Sequence, residues 1–292
     1  MKRTIICFVF CLLTGFTTAV FAQKEKTVEA EYTYWGSSNE SIDEAKRRCL
    51  QYAKQQAISR QFGEMVSQTN ITHMENSESR SIDSFMSIGS AEAKGEWIET
   101  LSEPEYKVSY DGEILTVEVK VKGRIREVDA ARIDFQAHVL KNGTEDKFAS
   151  EHFRHGDDLY VSFISPTAGY LSIYLIDDTG HAFCLLPYMN QSTGIYPIRS
   201  NNRYVFFNTK EAEELVRPMV DEYNLTCDRD VELNEIYVIF SPNEFTKAVD
   251  NQVNVGLPRQ LDAEDFHKWL AKCRRHDKKM TVKPFALKIT NK

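Results

Sequence analysis

The chain has 292 residues, of which 42% are hydrophobic and 27% are charged, with 36 basic against 43 acidic side chains. This acidic balance opposes binding to a phosphate backbone, so we expect no nucleic-acid partner. The length suits two domains, each with its own core, and we place them at 23–130 and 131–292.

Residues 1–22 have the pattern of a secretory signal peptide, with a basic start at Lys2 and Arg3, an apolar run and small residues before the cleavage point. The run is short for a helix that spans a bilayer, although an uncleaved anchor is the alternative. Neither Cys7 nor Cys11 lies in a lipoprotein motif. We therefore expect an exported protein, periplasmic or extracellular, with no membrane span after cleavage. Cleavage would reduce the basic residues from 36 to 34 against 43 acidic residues.

The segment 23–130 predicts an α+β unit in which one long helix covers a small antiparallel sheet. Thr27–Trp35 alternates apolar and polar residues, as a half-buried strand does. Ser41 and Glu44 form a capping box at the start of an amphipathic helix that we expect to run to about residue 67. Residues 106–122 predict a hairpin around Asp111-Gly112. The polar side of the helix, which is predicted to face water, carries Lys46, Arg47, Arg48, Lys54, Gln55 and Gln56.

The order of these elements resembles the small envelope domain at the N-terminus of the flagellar assembly protein T family and of related lipoprotein modules. The resemblance covers Val28 to Ile125 and rests on the capped helix followed by the hairpin. It implies a non-catalytic packing and assembly module.

The segment 131–292 predicts a β-rich, sandwich-like domain with two helices. The strands 158–165, 170–176 and 181–186 read as a meander. A helix is expected at 210–222, where Pro218 shortens or bends it. The other expected elements are a central strand at 236–240, a helix at 261–275 capped by Asp262, and a final strand at 282–289.

The turn at 177–180 contains Asp178-Thr-Gly, the local signature of an aspartic protease. Such an enzyme needs two carboxylates that share one proton, and this chain has one copy of the motif. Asp177 precedes it and His181 follows it, which favours a turn between two strands. We therefore predict that Asp178 belongs to a connector.

The same region resembles the bacterial envelope module catalogued as domain of unknown function 4384, across 133–289. Members are extracytoplasmic modules attached to varied partners, so the resemblance implies binding or scaffolding, with no catalytic residue to carry over. The residues that carry it are Gly156–Val161, Gly169–Leu171, Tyr174, Asp177, Gly180 and Leu185–Pro187, then Tyr204–Phe207, Ile236–Ser241 and Leu261–Arg275.

The densest group of metal-ligand residue types is His152, His155, Asp157 and Asp158. These side chains would bind a divalent ion if their loop folded back on itself. The spacing lacks the helical His-Glu-x-x-His pattern, and a polar loop that enters a strand is the alternative interpretation. We predict no catalytic residue, metal or cofactor here, and keep a metal-dependent hydrolase as the alternative function.

Four cysteines follow the predicted signal peptide: Cys49, Cys184, Cys227 and Cys273. Export would permit disulfides, and four cysteines allow three full pairings, among which the sequence does not choose. A bridge between Cys227 and Cys273 is one of the candidates. The position of Cys49 on the apolar helix face instead favours a buried thiol.

Two further features concern surfaces. The basic stretch 272–279 fits a helix C-terminus, with an anionic surface as the alternative partner. Aromatic platforms for a glycan or peptide, with core packing as the alternative, would use Tyr32, Tyr34, Trp35, Tyr188, Tyr196 and Tyr204. Taken together, the sequence predicts an exported, non-enzymatic envelope protein that binds another envelope protein or a surface glycan, in an unspecified oligomeric state.

Overall fold

The computed structural model describes residues 25–37, 40–62, 64–65, 92–93, 95–112, 114–127, 133–191, 195–251 and 258–291. The predicted signal peptide lies outside them. The fold is α+β and consists mostly of strands, as predicted. No helix in the described ranges combines the length and the apolar character needed to cross a bilayer.

The part of the chain from 25 to 127, here called the N-terminal unit, forms a four-stranded antiparallel sheet, a separate two-stranded sheet and one long helix. Its elements are β1 (Glu25–Ser37), α1 (Ile42–Phe62), β2 (Glu64–Met65), β3 (Glu92–Ala93), β4 (Gly95–Thr100), β5 (Glu105–Tyr110) and β6 (Ile114–Glu127). The two-stranded sheet consists of β2 and β3.

Strand β6 lies in the middle of the four-stranded sheet. It pairs with β1 on one side, in unbroken register from Glu25↔Arg126 to Ser37↔Ile114, and with β4 and β5 in succession on the other. Ala30 and Tyr34 of β1 are buried with Val117 and Val119 of β6 against α1. The alternation in sequence therefore selects the face that the helix covers.

The local signals of this unit are confirmed. The backbone N–H of Ser41 donates to Glu44 Oε2 at 3.1 Å, and the N–H of Glu44 donates to Ser41 Oγ at 3.2 Å, which is the reciprocal pair of a capping box. In the hairpin turn, Gly112 has φ of +102° and Asp111 accepts from the N–H of Ile114. Helix α1 ends at Phe62, before the predicted 67.

Because Ser41 satisfies one of the helix N–H groups that have no partner within α1, Ser41→Ala should lower the free energy of unfolding by about 1 kcal/mol. Urea unfolding followed by circular dichroism measures this. Ser109→Ala, at an exposed position of β5, is the control and should change the free energy by less than half as much. Equal effects of the two variants would contradict the capping role.

The part from 133 to 291, here called the C-terminal unit, is a two-sheet sandwich with a helix on its outer side. Its elements are β7 (Gln136–Lys141), β8 (His152–Arg154), β9 (Asp158–Ile164), β10 (Gly169–Ile176), β11 (His181–Leu186), β12 (Tyr196–Ile198), β13 (Tyr204–Phe206), β14 (Tyr223–Asn224), β15 (Val231–Ser241), β16 (Arg259–Asp262), α2 (Ala263–His276) and β17 (Thr281–Thr290).

The large sheet has the order β16-β11-β10-β15-β17-β8, and β12 pairs with β10. The small sheet has the order β13-β9-β14, and β7 pairs with β9. Side chains such as Val161, Phe163 and Phe240 fill the space between the two sheets. The predicted central strand is confirmed, because β15 is buried on both faces between β10 and β17.

Two details of the predicted C-terminal topology are wrong. The strands predicted as a meander divide between sheets: β9 belongs to the small sheet, and only β10 and β11 form a hairpin. The predicted helix at 210–222 is a series of turns with one 3₁₀ turn at Arg217–Met219. Pro218 has no N–H for an α-helical bond, and Leu215, which would belong to the apolar stripe, is 88% exposed.

Helix α1 also contacts the C-terminal unit. Ala45 and Cys49 of α1 belong to one buried cluster with Leu233 of β15 and Ala286 of β17. Helix α2 covers the neighbouring part of the same face, where Phe266 packs with other aromatic residues. Helix α1 therefore lies between its own sheet and the large sheet, and has buried contacts on more than one side.

Candidate functional site

The Asp-Thr-Gly segment is a turn, as predicted, and Asp177 is the residue that closes it. Its Oδ1 accepts from the N–H groups of Thr179 and His181 at 3.0 and 2.8 Å, and its Oδ2 accepts from the Thr179 hydroxyl. Gly180 supplies the positive φ, at +91°. The turn therefore uses Asp177 and leaves the carboxylate of Asp178 for another contact.

Asp178 is buried and joins the two units. Its side chain is 2% exposed, and its Oδ2 accepts from Arg48 Nη2 of α1 at 2.8 Å. Its Oδ1 pairs with Arg229, which also reaches Glu44 of α1 at 3.3 Å. Two guanidinium groups thus neutralise one buried carboxylate, an arrangement that keeps a buried charge hydrogen-bonded.

Arg48 is at the centre of this network and was predicted to face water, which is wrong. Its side chain is 13% exposed and also contacts Glu40 Oε1 at 3.0 Å and the hydroxyl of Tyr34 at 3.2 Å. Burial lowers the pKa of Arg48, but the acidic groups around it raise it to a net value above the ordinary one. The guanidinium is therefore charged at every physiological pH.

The chemistry of a proteolytic aspartate does not fit this position. An aspartic protease dyad needs a second carboxylate that shares a proton with the first, whereas the groups around Asp178 are the cations Arg48 and Arg229. We conclude that Asp178 holds α1 against the β10–β11 turn.

A second buried carboxylate lies at the same junction. Glu235 of β15 is 3% exposed, and its Oε2 accepts from Gln51 Nε2 of α1 at 3.1 Å and from the Tyr237 hydroxyl at 3.2 Å. Burial raises the pKa of Glu235 from 4.5 to about 7, against these hydrogen bonds and one from Gln55, which lower it. Gln55, predicted to face water, is thus part of the junction.

The four candidate metal ligands serve separate structural contacts. Asp157 accepts from the N–H of Arg154 and from Asn142, closing its turn. Asp158 accepts from Asn224 and Tyr160, and His155 Nδ1 lies 3.1 Å from the backbone of Cys227.

Two lysines near His152 oppose a cation at this loop. Partial burial and then the nearby Lys288 and Lys141 lower its pKa, and Lys141 Nζ donates to its carbonyl at 2.9 Å. Within the described ranges, no group of three or more His, Cys, Asp or Glu side chains is arranged to hold a metal ion.

The four cysteines are free thiols. Cys227 packs between the two sheets, whereas Cys273 packs on the α2 side of the large sheet, so the candidate bridge between them is excluded in this fold. Burial raises the pKa of Cys49 to about 12 and of Cys184 to about 11. These thiols are protonated near neutral pH and are poor nucleophiles.

Most of the candidate aromatic platform is core. Tyr34 and Tyr188 are each 2% exposed, and Tyr32 packs edge-on against Tyr52. Tyr196 and Tyr204 are partly buried in an aromatic cluster of the sandwich. Trp35, at 41% exposure, is the most exposed member of the set.

In the part of the chain that the structure describes, a groove beside strand β1 is a candidate binding site. It has a volume of about 170 Å³. Its lining, here called the β1 groove, consists of Val28, Glu29, Ala30 and Glu31 of β1 and Ala53, Gln56, Ala57, Arg60 and Gln61 of α1. Ala30, Ala53 and Ala57 give it a floor of small side chains, which leaves room for an added apolar group.

The strand that borders this groove is a sheet edge. Among the residues that the structure describes, β1 pairs with β6 alone, over 13 residues without a bulge or a proline. An edge strand presents backbone N–H and C=O groups on its outer side, and short length, charged side chains, bulges and proline are the usual protections against pairing with another chain. Of these protections, β1 has the charged side chains Glu25, Lys26, Glu29 and Glu31.

No protein-family model matches the chain, and no curated protein shows significant sequence similarity to it. The geometry of the junction and of the β1 groove is therefore the basis for a functional assignment.

Proposed function

We propose that the chain is an exported, non-enzymatic envelope protein that binds another protein through strand β1 and the β1 groove. The observation that carries the proposal is the long edge of β1, which has no bulge or proline, beside a groove with a floor of small residues. Added strands gain affinity from main-chain hydrogen bonds and specificity from pockets that receive alternate side chains.

The junction of the two units supports a scaffolding role. The contacts of Asp178 and Glu235 with α1 fix the helix that forms one wall of the groove. Through these contacts, the C-terminal unit holds α1 in place beside the binding edge. Export and the envelope location rest on the sequence of residues 1–22 and on the two resemblances.

A protein is favoured over a surface glycan as the partner. Glycans bind to exposed aromatic faces, and the candidate tyrosines are largely packed into the cores. The β1 edge instead offers backbone groups, which another polypeptide complements by strand pairing.

The test is site-specific photocrosslinking in the native host. A photoreactive residue at Glu29 of β1 should capture a discrete partner protein, whereas the same residue at Lys107 of β5, an exposed edge position on the opposite side of the sheet, should not. Capture at position 107 alone, at both positions or at neither would contradict the proposal.

A further inference from the structure

The outer face of the N-terminal sheet is acidic along the β1 edge. Glu25, Glu29 and Glu31 alternate on this face, away from α1, and all three are exposed. Glu31 pairs with Lys120 at 2.7 Å and Glu25 with Arg124 at 3.4 Å, so basic residues of the neighbouring strand β6 flank these carboxylates on one side. A strand added next to β1, on the side away from β6, would place its own side chains beside the same carboxylates.

The inner face at the same edge, towards α1, has small apolar side chains at its base and polar or charged side chains of α1, including Arg60, beside them. Val28 and Ala30 of β1 face Ala53 and Ala57 of α1 across the β1 groove. Successive side chains of an added strand point alternately to the two faces. One set of alternate residues would therefore meet the groove, and the other set would meet the glutamates.

We propose that the β1 edge takes up an extended segment of another protein in which apolar residues alternate with lysine or arginine. The apolar residues enter the β1 groove, and the basic residues lie beside Glu29 and Glu31. This inference rests on the proposed function and specifies the chemistry of the partner.

A second copy of this chain fits the edge less well. Antiparallel pairing of two β1 strands centred on Ala30 would set Glu29 opposite Glu31 of the other copy, and like charges directly opposite each other are destabilising. The acidic balance of the whole chain likewise favours a basic partner over a second copy.

The experiment measures the binding of three short fluorescent peptides to the protein by anisotropy at low salt. The first alternates valine and lysine, the second alternates valine and glutamate, and the third has the composition of the first with its valines and lysines in separate blocks. The alternating basic peptide should bind at least about tenfold tighter than either of the others, because each opposite-charge cross-strand pair contributes favourably.

Matched charge reversals locate the site. Glu29→Lys with Glu31→Lys should abolish the preference for the basic peptide and create one for the acidic peptide. Glu99→Lys with Glu105→Lys is the control, because it makes the same charge change on the opposite edge. It also removes one cross-strand pair, Glu99 with Arg124 at 2.9 Å, as the test variant removes the pair of Glu31 with Lys120. Ala57→Trp, which fills the groove, should weaken both alternating peptides while leaving the charge unchanged.

Equal binding of the basic and acidic peptides, equal binding of the alternating and blocked peptides, or equal effects of the two charge reversals would overturn the inference. Self-association of the protein that the peptide does not displace would overturn it in favour of a second copy. Crosslinking at Glu29 tests the proposed function separately. A captured partner with no peptide preference would refute the chemistry of the segment alone.

Discussion

Asp178→Ala is expected to lower the free energy of unfolding by about 3 kcal/mol, since removal of the buried carboxylate leaves two guanidinium groups, Arg48 and Arg229, with less compensating charge. Arg48 would keep only its contacts with Glu40 and Tyr34, and its side chain is 13% exposed. Because Asp178 joins α1 to the C-terminal unit, we also expect urea unfolding to separate into two transitions.

The control for this variant is an exposed ion pair. Glu31 contacts Lys120 at 2.7 Å with both side chains more than half exposed, and pairs of this kind contribute little to stability. Glu31→Ala should therefore have a small effect. In a double-mutant cycle, Asp178→Ala and Arg48→Ala should be strongly non-additive. Additive effects, or a loss no larger than that of Glu31→Ala, would contradict the role of Asp178 at the junction.

Glu235→Gln is expected to remove a pH-dependent loss of stability. Burial raises the pKa of Glu235 from 4.5 to about 7, so the folded protein holds this proton over a range in which the unfolded chain releases it. The stabilising contribution of the protonated form is complete below pH 4.5 and is lost as the pH rises through 7. At pH 8 this pKa shift corresponds to a loss of about 3 kcal/mol in the free energy of unfolding.

The measurement is the free energy of unfolding of wild type and variant at pH 4 and pH 8. The free energy of unfolding of Glu235→Gln relative to wild type should increase by about 3 kcal/mol from pH 4 to pH 8, because the amide carries no charge to bury. Glu118→Gln, on the exposed face of β6, is the control and should show no comparable growth. A difference between Glu235→Gln and wild type that is constant with pH would contradict the burial of a titrating carboxylate.

The sequence predicted those parts of the fold that depend on local rules. Ser41 and Glu44 cap a helix because their side chains reach backbone groups three residues away, and the Asp111-Gly112 turn follows from the backbone freedom of glycine. The all-apolar strand around Ile236 is buried on both faces, as its composition indicates.

The errors arise where distant contacts decide the structure. Arg48 has the spacing of a solvent-facing helix residue, and its partner Asp178 is 130 residues away. Strands β9 and β10 follow each other closely, which usually means that they pair, yet the segment after Ile164 crosses from one sheet to the other. The apolar spacing at 210–222 favoured a helix, but that segment has no continuous buried face.

The β1 groove has a weak counterpart in the sequence of α1. Ala53 and Ala57 are one helical turn apart and lie opposite Ala30. Alanines at this spacing are typical of the apolar stripe of any amphipathic helix, so their spacing does not by itself indicate a groove. Which strand is an edge depends on the pairing of the whole sheet, and the sequence of β1 alone does not determine that pairing.

Hydrogen exchange of the β1 backbone amides tests the binding of a partner strand most directly, since amides on an open edge exchange through small local openings. On addition of the partner identified by crosslinking, or of the alternating basic peptide, we predict slower exchange within residues 25–37 and unchanged exchange within β5. Unchanged exchange across β1 in a saturated complex would contradict the account.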